Sequence, residues 1–229
     1  MIRLSLLAIL AATFTAAGDE VPAPSSGEAL LAMMKSFREE TLGPVPSAEA
    51  VPGEPYLHAG PLVGHVSDTT VRLWLKASGP ASSGVRIGLQ PDLSDARTVD
   101  GPALEAATAF PGHISVGGLS AARRYYYAPL IAGAPTLLRP YPSFTTAPAA
   151  GKAGKVRVAL ASCVGRRGYH AAAAFGEMAA RHDFDILIML GDNHYGDSTD
   201  AARLRDFYFM QRTVDGFAQT IRHTPTYAI

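Results

Sequence analysis

Apolar and polar residues alternate with a period of two between residues 56 and 148, a pattern typical of half-buried β-strands. The alternation is clearest after a turn at residues 67–70, where Val71, Leu73 and Leu75 share one face. The predicted strands cover residues 62–66, 71–76, 85–89, 123–130 and 143–146. Several short strands separated by turns favour a β-sandwich for residues 56–148.

The pattern changes after residue 148 to continuous apolar runs with a helical stretch between them. Residues 156–161 and 186–190 are typical of strands buried on both faces, and the alanine-rich residues 169–181 predict a helix. The inner face of that helix is predicted to carry Ala172, Phe175 and Ala179. Strand, helix and strand in this order predict a parallel βαβ unit. A second helix at 200–212 and a third strand at 226–229 follow.

The segment before the sandwich has the features of a targeting sequence and a linker. Residues 1–18 combine a basic start, an apolar stretch and small residues at the end, which is typical of a Sec-type signal peptide. We therefore expect a secreted or periplasmic protein. Residues 19–55 are predicted to hold an amphipathic helix at 27–41 and a proline-rich linker.

The charge balance and the cysteine count limit which molecules the chain is expected to bind. The 229 residues include 20 basic and 20 acidic side chains, so the formal net charge is 0. A chain with this balance lacks the basic footprint of proteins that bind nucleic acids or anionic membranes. The single cysteine, Cys163, cannot form an internal disulfide. A buried apolar residue, an intermolecular bridge and a metal ligand are the three interpretations of it.

Three side chains with metal-binding chemistry are predicted to meet at one edge of the α/β layer. Cys163 follows the first strand of the βαβ unit and Asp192 follows the second, so both lie at carboxyl ends of parallel strands. Gly191 permits a sharp turn before Asp192, and Tyr195 can return its phenol to the same point. A thiolate, a carboxylate and a phenolate meeting together favour a trivalent cation such as Fe³⁺. An ordinary structural turn is the alternative interpretation of Gly-Asp after a strand.

These residues carry a resemblance to a known family. The matching segments are Ala161-Ser162-Cys163, Gly191-Asp192-Asn193-His194-Tyr195, residues 60–66 and residues 71–74. They resemble the PhoD-type alkaline phosphatases and phosphodiesterases of the calcineurin-like metallophosphoesterase superfamily. Residues 60–66 and 71–74 are similar to the start of that family's fibronectin-like N-terminal domain. Leu119 and Tyr125 are similar to the Leu…Tyr corner of fibronectin type III domains.

The resemblance implies an enzyme that hydrolyses phosphate mono- or diesters with a metal-bound hydroxide. It implies Fe³⁺ held by Cys163, Asp192 and Tyr195, with Asp192 also catalytic and bridging to Ca²⁺. Arg166 and His194 are the candidate contacts to the phosphate ester substrate.

Two departures and two alternatives accompany this interpretation. The first departure is in the leader, because the family is usually exported with a twin-arginine signal and residues 1–18 hold none. The family's Trp-Asp-Asp-His segment and its later ligands are absent from the sequence. Residues 149–229 are therefore expected to be the start of an incomplete catalytic domain, inactive alone. A purple-acid-type phosphatase shares the second motif but has an aspartate motif at the first. A non-catalytic secreted β-sandwich binding module with a catalytic remnant is the other alternative.

The remaining polar residues near these motifs are expected to have structural roles. Asn193 is predicted to bond to the turn backbone, and His65 and His113 to be ordinary strand or turn residues. The histidines that flank helices, His170, His182 and His223, are expected to be surface or helix-end residues.

Overall fold

The protein is described by a computed structural model covering residues 53–137, 139–164, 172–196 and 198–229. The predicted signal peptide at 1–18 and helix at 27–41 lie outside the described residues, as do Arg166 and His170. All described residues belong to one compact unit. No helix among them is long and apolar enough to cross a membrane.

Two antiparallel sheets form the part of the chain that was predicted to be a β-sandwich. The first sheet has the strand order β1-β2-β5, and the second has the order β4-β3-β6-β7 with β8 also paired to β6. The strands are β1 (Leu57–Val66), β2 (Val71–Ala77), β3 (Ser83–Gly88), β4 (Arg97–Asp100), β5 (Pro111–Val116), β6 (Arg124–Ile131), β7 (Ala134–Pro135) and β8 (Ser143–Thr145). A short 3₁₀ helix (Ala106–Thr108) lies between β4 and β5. The sequence pattern did not indicate β4, β5 or β7.

The inward faces of the two sheets make one apolar core, as the period-two pattern predicts. Val71, Leu73 and Leu75 of β2 are each 1% exposed, and they pack in the same cluster as Ile87 of β3 and Tyr127 of β6. The turn between β1 and β2 is also found where it was predicted, with Ser67 N–H donating to Thr70 O at 2.9 Å. Apolar burial on this scale is the main stabilising contribution to the sheets.

The Leu…Tyr resemblance corresponds to a real contact. The Tyr125 hydroxyl accepts a hydrogen bond from Ser120 N–H at 2.8 Å, and its ring stacks on Phe144 with centroids 6.1 Å apart. A tyrosine hydroxyl bonded to the backbone a few residues upstream is the corner arrangement of immunoglobulin-like sandwiches. Leu119 next to it is 6% exposed and belongs to the sandwich core.

A parallel sheet with three helices follows the antiparallel sheets. Its strands are β9 (Val158–Ala161), β10 (Ile186–Met189) and β11 (Thr226–Ala228), in the order β11-β10-β9. The helices are α1 (Ala172–Arg181), α2 (Ala201–Gln211) and α3 (Phe217–His223). The predicted βαβ unit, second helix and third strand are thus all present, whereas α3 was not predicted.

The N-terminus of α2 is set by its capping residue. Asp200 has an extended backbone, and its Oδ1 accepts hydrogen bonds from Ala202 N–H at 2.9 Å and Arg203 N–H at 3.4 Å. A side-chain acceptor at this position satisfies N–H groups that have no partner inside the helix. The predicted start of the helix at residue 200 is therefore its cap.

Burial of the parallel strands differs from the prediction. Leu187 and Met189 are 0% and 3% exposed, but the alternate residues Ile186 and Ile188 are only half-buried. Leu190, expected to continue the buried run, is 49% exposed. The reason is that α1 and α3 pack on one face of the sheet, so within the described residues the apolar cluster lies on that face alone.

The buried face of α1 is also shifted from its predicted position. Phe175 is 2% exposed as expected, but Met178 is the buried residue one turn later, and Ala179 is half-buried. The Phe175 ring meets Phe217 of α3 edge-on, with centroids 4.8 Å apart. Contact with α3, which was absent from the sequence prediction, therefore decides which side of α1 is covered.

Candidate metal centre

The ends of β9 and β10 bring Cys163 and Asp192 together. The two strands are parallel, with Ala161 paired to Met189, and Leu190 N–H donates to Ala161 O at 2.7 Å. Beyond the strands, Val164 N–H donates to Asp192 O at 3.2 Å, which ties the two loops to each other. The predicted meeting of these residues at the carboxyl edge of the sheet is what the parallel pairing produces.

The side chains of Cys163, Asp192 and Tyr195 converge on one carboxylate oxygen. Cys163 Sγ lies 3.7 Å from Asp192 Oδ2, and the Tyr195 hydroxyl donates to the same oxygen at 3.1 Å. Cys163 and Asp192 are exposed, and Tyr195 is half-exposed. The cysteine is thus not the buried apolar residue of the first interpretation, and its sulfur faces an acidic, solvent-accessible edge.

The backbone is strained at both loops of this centre. Cys163 has φ +55° and Asp192 has φ +46°, in the left-handed region that side-chain-bearing residues rarely adopt. Gly191 has φ +98°, as expected for the glycine that makes the turn. Such conformations persist only where the surrounding contacts impose them, and they concentrate at functional sites.

Tyr195 is a proton donor in this arrangement. Its hydrogen bond with Cys163, followed by burial and by the bond to Asp192, raises the pKa of the phenol above its ordinary value. The neutral phenol therefore donates to the carboxylate. Converting it to a phenolate beside Asp192 requires a compensating positive charge at the same point.

The three donors fit a single cation. Two ligands at about 2.0–2.3 Å from one metal ion, with a ligand–metal–ligand angle between the octahedral and the tetrahedral value, lie roughly 2.8–3.8 Å from one another. The observed separations of 3.1 Å and 3.7 Å are in this range. Hard carboxylate and phenol oxygens with one thiol form a donor set suited to a highly charged transition metal. Among the described residues no cluster of three or more His, Cys, Asp and Glu side chains is present, and the third potential donor beside Cys163 and Asp192 is the Tyr195 phenol.

Asn193 and His194, which lie between Asp192 and Tyr195 in the sequence, make their side-chain contacts away from Cys163. The His194 ring stacks on Tyr208 with centroids 4.2 Å apart and is tilted against Phe207 at 5.6 Å. The Asn193 side chain donates from Nδ2 to Ile229 O at 3.3 Å, which is strand-end backbone and not the turn backbone that was expected. The substrate-contact role of His194 stays a prediction, and Arg166 lies outside the described residues.

Sequence reasoning missed one residue that touches this loop. Gln211, at the end of α2, is 1% exposed, and its Nε2 donates to Asn193 O at 2.6 Å. It lies one turn after the fully buried Phe207. A polar residue at i+4 from an apolar one on a buried helix face is a signal for a specific hydrogen bond.

Comparison with known proteins shows the fold. No protein-family model matches the sequence, and no curated protein matches it. The structure of PhoD is similar with a TM-score of 0.66 at 17% identity, covering 79% of this chain and 40% of that chain. Purple acid phosphatase PPD1 from yellow lupin (Lupinus luteus) seeds is similar with a TM-score of 0.55 at 13% identity, covering 77% of this chain and 35% of that one. The chain therefore shares the fold of the matching parts of these two structures and spans less than half the length of either one.

Proposed function

We propose that this chain carries part of the metal centre of a PhoD-like phosphoric ester hydrolase. The observation that supports it most directly is the convergence of Cys163 Sγ and the Tyr195 hydroxyl on Asp192 Oδ2. The similarity to PhoD and to a purple acid phosphatase supports the same class of fold. The proposed substrate is a phosphate mono- or diester, and the proposed ions are Fe³⁺ and Ca²⁺.

Each of the three residues has a defined part in this proposal. Cys163, Asp192 and Tyr195 would hold a ferric ion, and Asp192 would also be the residue shared with a calcium ion. When bound, such ions polarise the phosphoryl oxygens and activate water for attack on phosphorus. The chain's own contribution is to bring the three donor side chains together at the carboxyl ends of β9 and β10.

Ferric binding by the 229-residue chain tests the proposal. We expect the wild-type chain to bind one Fe³⁺ with a visible phenolate-to-iron absorption band, and Tyr195→Phe to lose the band. Asp192→Asn and Cys163→Ala should each weaken binding by a factor of about 10 or more. Tyr126→Phe, which alters a tyrosine of β6 in the sandwich, is the matched control and should leave the band unchanged. A wild-type chain without iron, or a band that survives Tyr195→Phe, would contradict the proposal.

Hydrolysis assays address a separate point. Because the family's remaining ligands are absent from these 229 residues, we expect negligible hydrolysis of p-nitrophenyl phosphate esters by the chain alone. Robust metal-dependent turnover by the isolated chain would show that the present residues suffice.

The purple-acid alternative is distinguished by Cys163. An iron site unaffected by Cys163→Ala, with an acidic pH optimum in a longer form of the protein, would favour that class. The distance of 3.7 Å between Sγ and the Asp192 carboxylate favours the PhoD-like assignment, since it makes the thiol part of the donor set.

A further inference from the structure

The loop at residues 191–196 has two sides with different partners. Asp192 and Tyr195 face Cys163, whereas the Asn193 carbonyl and the His194 ring contact the helix α2. The approach to α2 is close, because a Cβ atom at Gly196 would overlap the Leu204 side chain. The helix therefore contacts the loop on the side opposite to the candidate ligands.

Two hydrogen bonds in series run through the interface between α2 and the loop. Gln211 Nε2 donates to Asn193 O at 2.6 Å, and Asn193 Nδ2 donates in turn to Ile229 O at 3.3 Å. This chain of bonds links α2, the loop and the end of β11. Gln211 is 1% exposed, so its amide has no water with which to exchange this bond, and a buried donor that loses its partner is costly.

The bond acts where the loop needs support. Asp192 immediately precedes Asn193 and has φ +46°, a conformation that the chain does not keep without external contacts. The Val164 N–H bond to Asp192 O holds the loop from the side of Cys163. The Gln211 bond holds the next carbonyl, Asn193 O, from the opposite side, so the two peptide units that flank Asn193 are each held by one hydrogen bond.

We propose that Gln211 is a positioning residue, which holds Asn193 O so that Asp192 and Tyr195 meet at the thiol of Cys163. The inference rests on the proposed function for its consequence in metal binding, but the positioning itself concerns the geometry of the chain without metal. Residues that orient metal ligands typically change metal affinity about 10–100-fold when they are replaced.

The test compares two buried polar side chains that each donate to a backbone carbonyl. Gln211→Met keeps the length and burial of the side chain but removes the donor. Gln211→Glu keeps the shape and presents only oxygen atoms to Asn193 O. Thr220→Val is the matched control, because Thr220 is 0% exposed and donates to Phe175 O at 3.1 Å, away from the loop.

Two readouts on the 229-residue chain decide the question. In titrations with ferric nitrilotriacetate, both Gln211 variants should bind Fe³⁺ about 10–100-fold more weakly and show an altered charge-transfer band, with Thr220→Val unchanged. Alkylation of Cys163, the single cysteine, by iodoacetamide reports the geometry without metal. Gln211→Met should change this rate about threefold or more, in the same direction as Asp192→Asn.

The outcomes separate the two proposals. If the wild-type chain binds no iron but Gln211→Met shifts the alkylation rate as Asp192→Asn does, the metal proposal fails and the positioning role stands. If Gln211→Met matches the wild-type chain in iron affinity, spectrum and alkylation rate while it loses only thermal stability, the positioning role is overturned.

Discussion

His223 and His182 meet edge to face at the junction of α3 with the end of α1, with ring centroids 5.2 Å apart. His223 Nδ1 accepts a hydrogen bond from Ser143 N–H at 3.2 Å, so a second proton on the ring displaces that bond. Burial, and then His182, lower the pKa of His223 from its ordinary 6.5 to about 4. Burial, and then Arg124, also lower the pKa of His182. Both rings are therefore neutral in the folded protein at neutral pH.

The sign of the effect on stability follows from proton binding. Below pH 6.5 His223 becomes protonated in the unfolded chain. In the folded chain the same side chain stays neutral until the pH falls to about 4. Stability from this group is thus fully present above pH 6.5 and is lost as the pH falls toward 4. Between pH 7 and pH 5 the loss works out at about 2 kcal/mol for His223 alone.

The arginines around His182 and His223 disfavour a positive charge on either ring. Arg124 of β6 and Arg222 of α3 face His223, and both add to the lowering of its pKa. Arg157 also faces His182, although Asp183 and Asp185 partly compensate on that side. Acid should therefore weaken the contact between α3 and the strand β8, to which Ser143 belongs.

Urea denaturation at a series of pH values measures this loss. The informative quantity is the difference between the wild-type chain and His223→Asn, because the other titrating groups cancel in it. The asparagine carbonyl can still accept from Ser143 N–H but does not titrate, so the variant should lose about 2 kcal/mol less between pH 7 and pH 5. His182→Asn should reduce the loss only in part, since burial is the first cause of the shift at His223. Equal pH dependence for the wild-type chain and His223→Asn would refute the reasoning.

Two further predictions, each with a matched control substitution, concern the turn at Gly191 and the start of α2. Gly191→Ala should destabilise the chain by about 1–3 kcal/mol in chemical denaturation, because φ is +98° and the strain is conformational, with open space around the Cβ. The matched control is Gly176→Ala in α1, where there is also open space around the Cβ but φ is ordinary. This substitution should stabilise the chain by about 0.5–1 kcal/mol. A change of the same sign for Gly191→Ala and Gly176→Ala would contradict the conformational argument. Asp200→Ala should lower the free energy of unfolding by about 1 kcal/mol, because it removes the cap of α2. Asp200→Asn keeps a side-chain acceptor and should lose less. An equal loss in the two variants would show that the charge of Asp200 matters and not its capping bond.

The outward face of β2 shows where a sequence pattern stops being informative. Alternation places Trp74 and Lys76 opposite the core, and a solvent-exposed face is the simplest reading. Instead Trp74 stacks on Phe209 of α2 at 6.0 Å, and Lys76 is 2% exposed with its ammonium 5.1 Å from the Phe209 ring centre. A period of two identifies two faces of a strand, but it does not say whether water or another helix covers the second one.

The elements that were missed have short or weakly apolar sequences. Helix α3 has only seven residues, and β5 alternates buried residues with exposed ones such as His113. Pairing with β2 makes β5 a strand, and packing of Phe217 on Phe175 makes α3 a helix. Short elements gain most of their stability from such tertiary contacts, which local propensity does not contain.

The sequence by itself determined that Cys163 and Asp192 would share one sheet edge, because a parallel βαβ unit ends both strands on the same side. It also determined the turn at Gly191, since that turn depends on the chemistry of a single residue and its neighbours. Only the tertiary structure decided what lies behind that edge. Gln211 reaches the loop because α2 packs beside it. The periodic patterns of single helices and strands do not show this contact, because Gln211 and Asn193 lie in different elements of the chain.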